Sequence, residues 1–292
     1  MNENKTNINW YPGHMAKTKR QIQEDLKLID VIVEVLDARI PVASQNPDIK
    51  EYSKNKKRVV VLNKSDLADE NETNKWIKFF KGKDIPAVSV DCNSGKGVNE
   101  VIRTIKEVAK ENQEKFSSKG RVGKSIRIMI LGIPNVGKST FINKITNRKA
   151  AQVGNKPGVT RQKQWVKVDN EIDLMDTPGI LWPKFENQEI GMNLAFTGTI
   201  KDDILEKTEI AFELLKFLVN NYCKNIEERY KIDILASKNL DDNEAYVEIL
   251  DEIAKKRGAI LSGGRIDYEK ISGILLDEFR SGKLGRITIE KK

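Results

Sequence analysis

The stretch Gly132-Ile133-Pro134-Asn135-Val136-Gly137-Lys138-Ser139-Thr140 constrains this chain more than any other. It satisfies the phosphate-loop pattern G-x-x-x-x-G-K-[ST] at every fixed position. The run before it, residues 126–131, is apolar and β-branched, as a buried strand should be, and residues 139–145 read as the start of a helix. Strand, glycine-rich turn and helix together form an anion cradle. Glycines let backbone N–H groups close around a phosphate at a helix N-terminus, whose dipole favours negative charge. Lys138 would reach the β- and γ-phosphates, and Ser139 would hold Mg²⁺. Asn135, Val136, Gly137 and Thr140 complete the expected cradle. A second Gly-Lys-Ser at Gly123, Lys124 and Ser125 has Ser118 where the first glycine belongs, and it precedes the strand. It reads as a basic linker.

Apolar runs at residues 28–36, 58–62 and 85–90 are further strand candidates, with a helix through residues 76–80 and another over 98–111. Residues 164–168 and 171–175 predict a strand pair turning at Asp169 and Asn170. Strands alternating with helices imply a mostly parallel, six-stranded sheet with helices on both faces. Beyond residue 183 the β-branched runs disappear. One helical face carries Ile204, Ala211, Leu215, Leu218 and Tyr222; a second carries Val247, Leu250 and Ala254, closed by Gly258. A third helix is expected from an Asp267 cap, with Ile271, Leu275 and Phe279 inward and Gly282 at its end. The expected division is an α/β domain over 1–183, including a basic N-terminal arm, and a small all-α domain over 184–292.

Two motifs sharpen the chemistry. Asn63, Lys64, Ser65 and Asp66 have the form N-K-x-D at the end of an apolar strand. A carboxylate at Asp66 can accept from both N1–H and the 2-amino group of guanine. Adenine offers neither donor arrangement, so the buried acceptor would stay unpaired against it. Asn63 would brace the loop, Lys64 would pack over the base, and the turn at Asp91 and Cys92 would add a backbone N–H. Asp176, Thr177, Pro178 and Gly179 have the form D-x-x-G: Asp176 would hold Mg²⁺ through water, and Gly179 would give the γ-phosphate an N–H. Thr160 is the candidate switch threonine over Mg²⁺; Thr197 and Thr199 come too late in the chain for that role. Lys138, Thr160 and Gly179 are thus the expected catalytic groups of the phosphate site.

The order of these motifs is unusual. GTPases ordinarily run phosphate loop, switch threonine, D-x-x-G, N-K-x-D and last guanine loop; here N-K-x-D and the guanine loop come first. The chain resembles the circularly permuted GTPases, and among them the bacterial ribosome biogenesis GTPase A family. The likeness is carried by Trp10, Tyr11, Pro12, Gly13, His14, Met15, Ala16 and Lys17, by Asp37, Ala38, Arg39, Ile40 and Pro41, and by the motifs above. Lys156, Pro157, Gly158, Val159 and Thr160, the stretch 194–201, and Gly282 to Arg286 belong to it as well.

The resemblance implies a GTP-hydrolysing assembly factor that binds the immature large ribosomal subunit, through rRNA and ribosomal proteins, and uses GTP state to time its release. It also implies slow turnover alone, because Ile180 stands where many GTPases carry a water-orienting glutamine. His14, the single histidine in the chain, is the candidate replacement, since neutral imidazole can hold water or accept a proton. Its alternative is an RNA-contacting or turn-packing role. In related GTPases an asparagine at the position of Asn135 helps bind K⁺; otherwise Asn135 is a loop residue bonding its own backbone. Lys and Arg total 51 against 43 Asp and Glu, leaving +8, which suits a polyanionic partner. No apolar run approaches a membrane span, and two cysteines, Cys92 and Cys223, support no disulfide framework. A cytoplasmic protein with neither membrane nor DNA partner is expected. A second reading, a nucleotide-dependent switch for a protein partner with incidental hydrolysis, stays open.

Overall fold

The long central strands of the sheet form where the sequence concentrates Val, Ile and Leu. A computed structural model describes residues 20–52, 56–117, 125–147, 165–175, 187–200, 206–234 and 243–292. The strands are β1 (Val31–Asp37), β2 (Lys57–Asn63), β3 (Ala87–Val90), β4 (Ile126–Leu131), β5 (Trp165–Lys167) and β6 (Ile172–Met175). They form a six-stranded sheet in the order β3-β2-β1-β4-β6-β5. All neighbours are parallel except the β5–β6 hairpin. β1 is buried along its whole length, as expected for a central strand covered on both faces.

The pleat assigns the two faces. Val31, Val33 and Val35 point to the side where Val101 and Ile105 of α4 (Val98–Ser117) and Phe141 of α5 (Lys138–Ile145) pack. On the opposite face Ile32 and Met129 meet Ile22 of a helical stretch at residues 20–26 (α1), and Leu36, Val60 and Leu62 meet Trp76 and Phe80 of α3 (Glu70–Lys81). A short helix, α2 (Pro47–Tyr52), follows β1.

The sheet winds outward in two directions. From β1 the chain moves to β2 and β3; from β4 it moves to β6 and β5 on the other side. The crevice between β1 and β4 is therefore the topological switch point, where such sheets bind ligands at their carboxyl ends.

The remaining helices are α6 (Gln188–Phe196), α7 (Lys207–Tyr230), α8 (Asn243–Arg257) and α9 (Tyr268–Arg280). Neither α2 nor α6 is among the helices expected from the sequence. The helix expected to end near Tyr222 continues to Tyr230, with a kink at Tyr222 (φ −140°, ψ 39°). There the Tyr222 hydroxyl donates to the Thr288 carbonyl (3.0 Å) and accepts from the Thr288 N–H (3.1 Å). Val247, expected inward, is 38% exposed; the buried stripe of α8 is Tyr246, Ile249, Leu250, Ile253 and Ala254. Its phase is set by Tyr246, whose hydroxyl reaches Asn220 on α7 at 3.0 Å. Asp267 caps α9 as expected, accepting from the Lys270 N–H, and Gly258 and Gly282 lie at positive φ just past their helices.

The expected boundary at 183/184 lies outside the described residues. Within them, one hydrophobic cluster joins Ile40 and Ala43 after β1 to Leu194 on α6, Phe279 on α9 and Ile289. Residues 284–292 then run back across the α/β unit. No helix among the described residues is long and apolar enough to cross a membrane.

Candidate nucleotide site

The phosphate loop leaves β4 in the switch-point crevice, and two glycines are fixed by close approach. A Cβ on Gly132 would sit 2.7 Å from the Val35 carbonyl on β1. A Cβ on Gly137 (φ +87°) would sit 2.2 Å from the Asn63 side-chain nitrogen. Gly137 is also the N-cap of α5 and offers no side-chain acceptor to that helix, so the first-turn N–H groups suit an anion. Lys138 begins α5, and its ammonium folds back to the Gly132 carbonyl at 3.4 Å. Burial holds its pKa below the ordinary lysine value. Ser139 and Thr140 are exposed in the same turn, an oxygen-donor pair that suits a hard cation and phosphate rather than a soft metal.

The N-K-x-D loop stands against this cradle. Asn63, at the end of β2, donates its side-chain amide to the Val136 carbonyl at 2.7 Å. Lys64 (φ +58°) donates to the Asn135 carbonyl at 2.7 Å and pairs with Asp37 at 3.0 Å. The Ser65 N–H bonds the Val90 carbonyl at 3.1 Å, tying the loop to the end of β3. Asn93 donates to the Asp66 carboxylate at 3.4 Å. Asp91 shapes the neighbouring turn: its carboxylate accepts from the Asn93 N–H (2.8 Å) and the Ser94 hydroxyl (2.5 Å). Burial, reinforced by Asp91 and Asp66, pushes the Cys92 thiol up to about 12, so it remains a neutral wall of the site.

A cavity of about 240 Å³ opens among Asn63, Lys64, Asp66, Cys92, Asn93, Gly137 and Thr140. Its far wall is made of Arg39, Thr197 and Arg280, none of which the sequence assigned to the site.

Arg39 and Asp37 form the buried base of that wall, at 1% and 0% exposure. Arg39 grips both Asp37 oxygens, through Nε at 2.9 Å and a terminal nitrogen at 2.8 Å, and its guanidinium lies 5.3 Å over the Phe279 ring. Burial alone would raise the Asp37 carboxyl; Arg39 and Lys64 outweigh it and hold the group well below the usual carboxylate range. The sequence signal for this hub was the spacing of Asp37 and Arg39 at a strand end, with no partner to read it against.

The phosphate loop also touches the helical region directly. Asn135 donates its side-chain amide to the Gly198 carbonyl at 2.9 Å. Thr197 and Thr199, set aside on chain order, flank that contact with hydroxyls 3.1 Å apart. Arg280 closes the end of α6, donating to the Ala195 (2.7 Å) and Phe196 (3.1 Å) carbonyls. The other expected site residues, His14, Thr160, Asp176 and Gly179, together with Ile180, lie outside the described residues.

A phosphate loop at the switch point, a base-reading loop braced on it, and the reversed chain order of the two define a circularly permuted P-loop GTPase. A 50S ribosome-binding GTPase family model matches residues 127–250, and an RsgA GTPase model matches residues 49–186. The chain is 47% identical to the ribosome biogenesis GTPase A of Bacillus cereus, over 97% of this chain and 93% of that protein. Two structures of YlqF from T. maritima, each 26% identical, superpose on it. The GDP-bound one has a TM-score of 0.67 and covers 93% of this chain and 99% of its own; the GNP-bound one has 0.62, with 94% and 98%. The chain belongs to the ribosome biogenesis GTPase A family.

Proposed function

We propose that this chain hydrolyses GTP to time a late step of large ribosomal subunit assembly, binding the immature particle through rRNA and ribosomal proteins in the cytoplasm. The observation that carries the nucleotide part of this reading is the Asn63–Val136 bond, which makes the N-K-x-D loop and the phosphate loop two walls of one cavity. Asp66 reads the guanine edge, Lys64 covers the base, and Ser65, Asp91 and Cys92 shape its pocket. Backbone N–H groups of Asn135, Val136, Gly137, Lys138, Ser139 and Thr140 cradle the phosphates.

Ser139, Thr160 and, through water, Asp176 would hold Mg²⁺, and the glycine cradle and hydroxyl donors fit a metal–phosphate group. Bound there, the ion would supply positive charge to offset that of the phosphates. Lys138 adds its ammonium there, and the Gly179 N–H meets the γ-phosphate. Since Ile180 cannot orient water, His14 takes that role. Asn135 would hold K⁺ through its side-chain oxygen, its nitrogen being engaged with Gly198.

The particle is supported by the family's name, by the 50S ribosome-binding family model and by the +8 charge. Phosphate contacts by Lys and Arg would make binding fall steeply with salt. The test is GTP turnover in K⁺ buffer with and without purified large subunits, for wild type and His14→Ala. Stimulation abolished by the substitution supports the whole reading. Stimulation that survives it removes His14 from the mechanism. Absence of stimulation moves the function to a switch for a protein partner.

A further inference from the structure

Past α9 the chain turns at Gly282 and Gly285, both at positive φ, and residues 286–292 lie along the segment that follows the N-K-x-D motif. A Cβ on Gly282 would sit 2.7 Å from a Leu67 methyl, so the approach is close from its start. Arg286 spans that segment with a three-pronged grip. One terminal nitrogen donates to the Ser65 carbonyl at 3.0 Å, Nε donates to the Ala68 carbonyl at 2.8 Å, and the other terminal nitrogen meets Glu70 at 3.1 Å. The Ile287 N–H takes the Leu67 carbonyl at 2.9 Å, and the Thr288 hydroxyl accepts the Asp69 N–H at 2.9 Å.

The Ser65 carbonyl belongs to the peptide that carries Asp66. Around it stand the Ser65 N–H bond to Val90, the Leu67 N–H bond to the Lys64 carbonyl (3.0 Å) that closes the turn, and the weak Asn93 contact to the carboxylate. Removal of Arg286 would free the Ser65 carbonyl and leave the Ser65–Asp66 peptide to its turn and the β3 side, the segment after α9 still being bonded only farther along, at Leu67 and Asp69. The Glu70 ion pair is exposed and contributes little. The carbonyl bonds need the planar fork, which lysine cannot supply.

We propose that Arg286 is a positioning residue for base recognition: it holds the Ser65–Asp66 peptide so that the Asp66 carboxylate meets the guanine edge. The inference rests on the guanine site argued above. It makes the segment after α9 part of nucleotide selectivity, and by linkage any partner that pulls this segment away weakens guanine nucleotide binding by the same factor that the nucleotide weakens its grip.

The measurement compares GDP with inosine diphosphate, which lacks the 2-amino group, by equilibrium binding to the full chain. Wild type is expected to prefer GDP by about tenfold, the value of one hydrogen bond to a charged acceptor. In Arg286→Ala, GDP affinity falls about tenfold while inosine diphosphate affinity falls by no more than about threefold, so the preference contracts. Arg286→Lys, which keeps charge and stem, contracts it as well and stands in if the alanine variant does not fold. Glu70→Gln keeps the wild-type ratio. An unchanged ratio in folded Arg286→Lys, or equal losses for both nucleotides, overturns the positioning role. A wild type that binds GDP no better than ADP overturns the guanine site itself, and this inference with it.

Discussion

The Asn63 side chain and the Val136 carbonyl, 2.7 Å apart, join the two walls of the nucleotide cavity. The contact is buried, and the neighbouring Gly137 leaves room for it only because it lacks a Cβ. Asn63→Ala removes the donor and leaves Val136 with an unmet acceptor, at a cost of about 1–3 kcal/mol. GDP affinity, followed by titration of a fluorescent analogue, should fall about tenfold. An affinity within twofold of wild type would show that the brace is dispensable.

Asp37 holds two cations, Arg39 and Lys64, below the cavity. Asp37→Asn leaves the buried Arg39 without its counter-charge, while Lys64 keeps the Asn135 carbonyl, and breaking a buried pair of this kind costs about 3 kcal/mol or more. Because the folded-state pKa lies below the unfolded value of about 3.9, the wild-type contribution is complete above that pH and is lost as pH falls through and below it. Thermal melts between neutral pH and pH 3 should show a large gap between wild type and variant that narrows with acid. A gap independent of pH would remove Asp37 from the acid response.

Gly198 sits at φ +71° between the phosphate loop and Arg280, and a Cβ there would lie 3.1 Å from the Arg280 Nε. Gly198→Ala therefore strains the backbone and displaces the guanidinium, at about 1–2 kcal/mol. Both the melting midpoint and GDP affinity should drop, the second because Asn135 bonds the Gly198 carbonyl. Loss of stability with full nucleotide affinity would mean that the contact does not reach the site.

Asn135 is exposed in the loop, and its amide nitrogen is already engaged. If its oxygen binds K⁺, exchanging K⁺ for Na⁺ should slow GTP turnover by about tenfold or more, on the scale of a lost electrostatic contact in the transition state. Asn135→Ala should make turnover indifferent to the exchange. Equal rates of the wild type in both salts would discard the cation.

What could be read from the chain alone was whatever is local. Gly132, Gly137 and Lys138 announce the phosphate loop because the cradle is built from contiguous backbone. Asn63 to Asp66 announce the base loop because they close an unmistakable apolar strand. The hairpin at Asp169 and the Asp267 cap follow from short-range turn and cap chemistry. Helix α6 escaped notice because Gly191 interrupts a short, weakly periodic stretch. Val247 misled because one-residue errors in helical phase still leave an apolar pattern. Arg280 and Arg286 escape for a different reason: each bonds partners far along the chain, and only the fold supplies those distances. Chain order sets Thr197 and Thr199 aside as switch threonines, and the fold brings Thr197 to the cavity wall all the same.

The bonds from Arg286 to Ser65 and Ala68 join residues 221 and 218 positions apart. Contacts of such sequence separation close large loops, whose entropy must be lost before any of the gain is realised, and they form late as a chain condenses. The sheet and its phosphate cradle depend on nearer pairings and can assemble first. On the inference that Arg286 positions the Asp66 peptide, a refolding experiment should show phosphate binding before the discrimination of guanine.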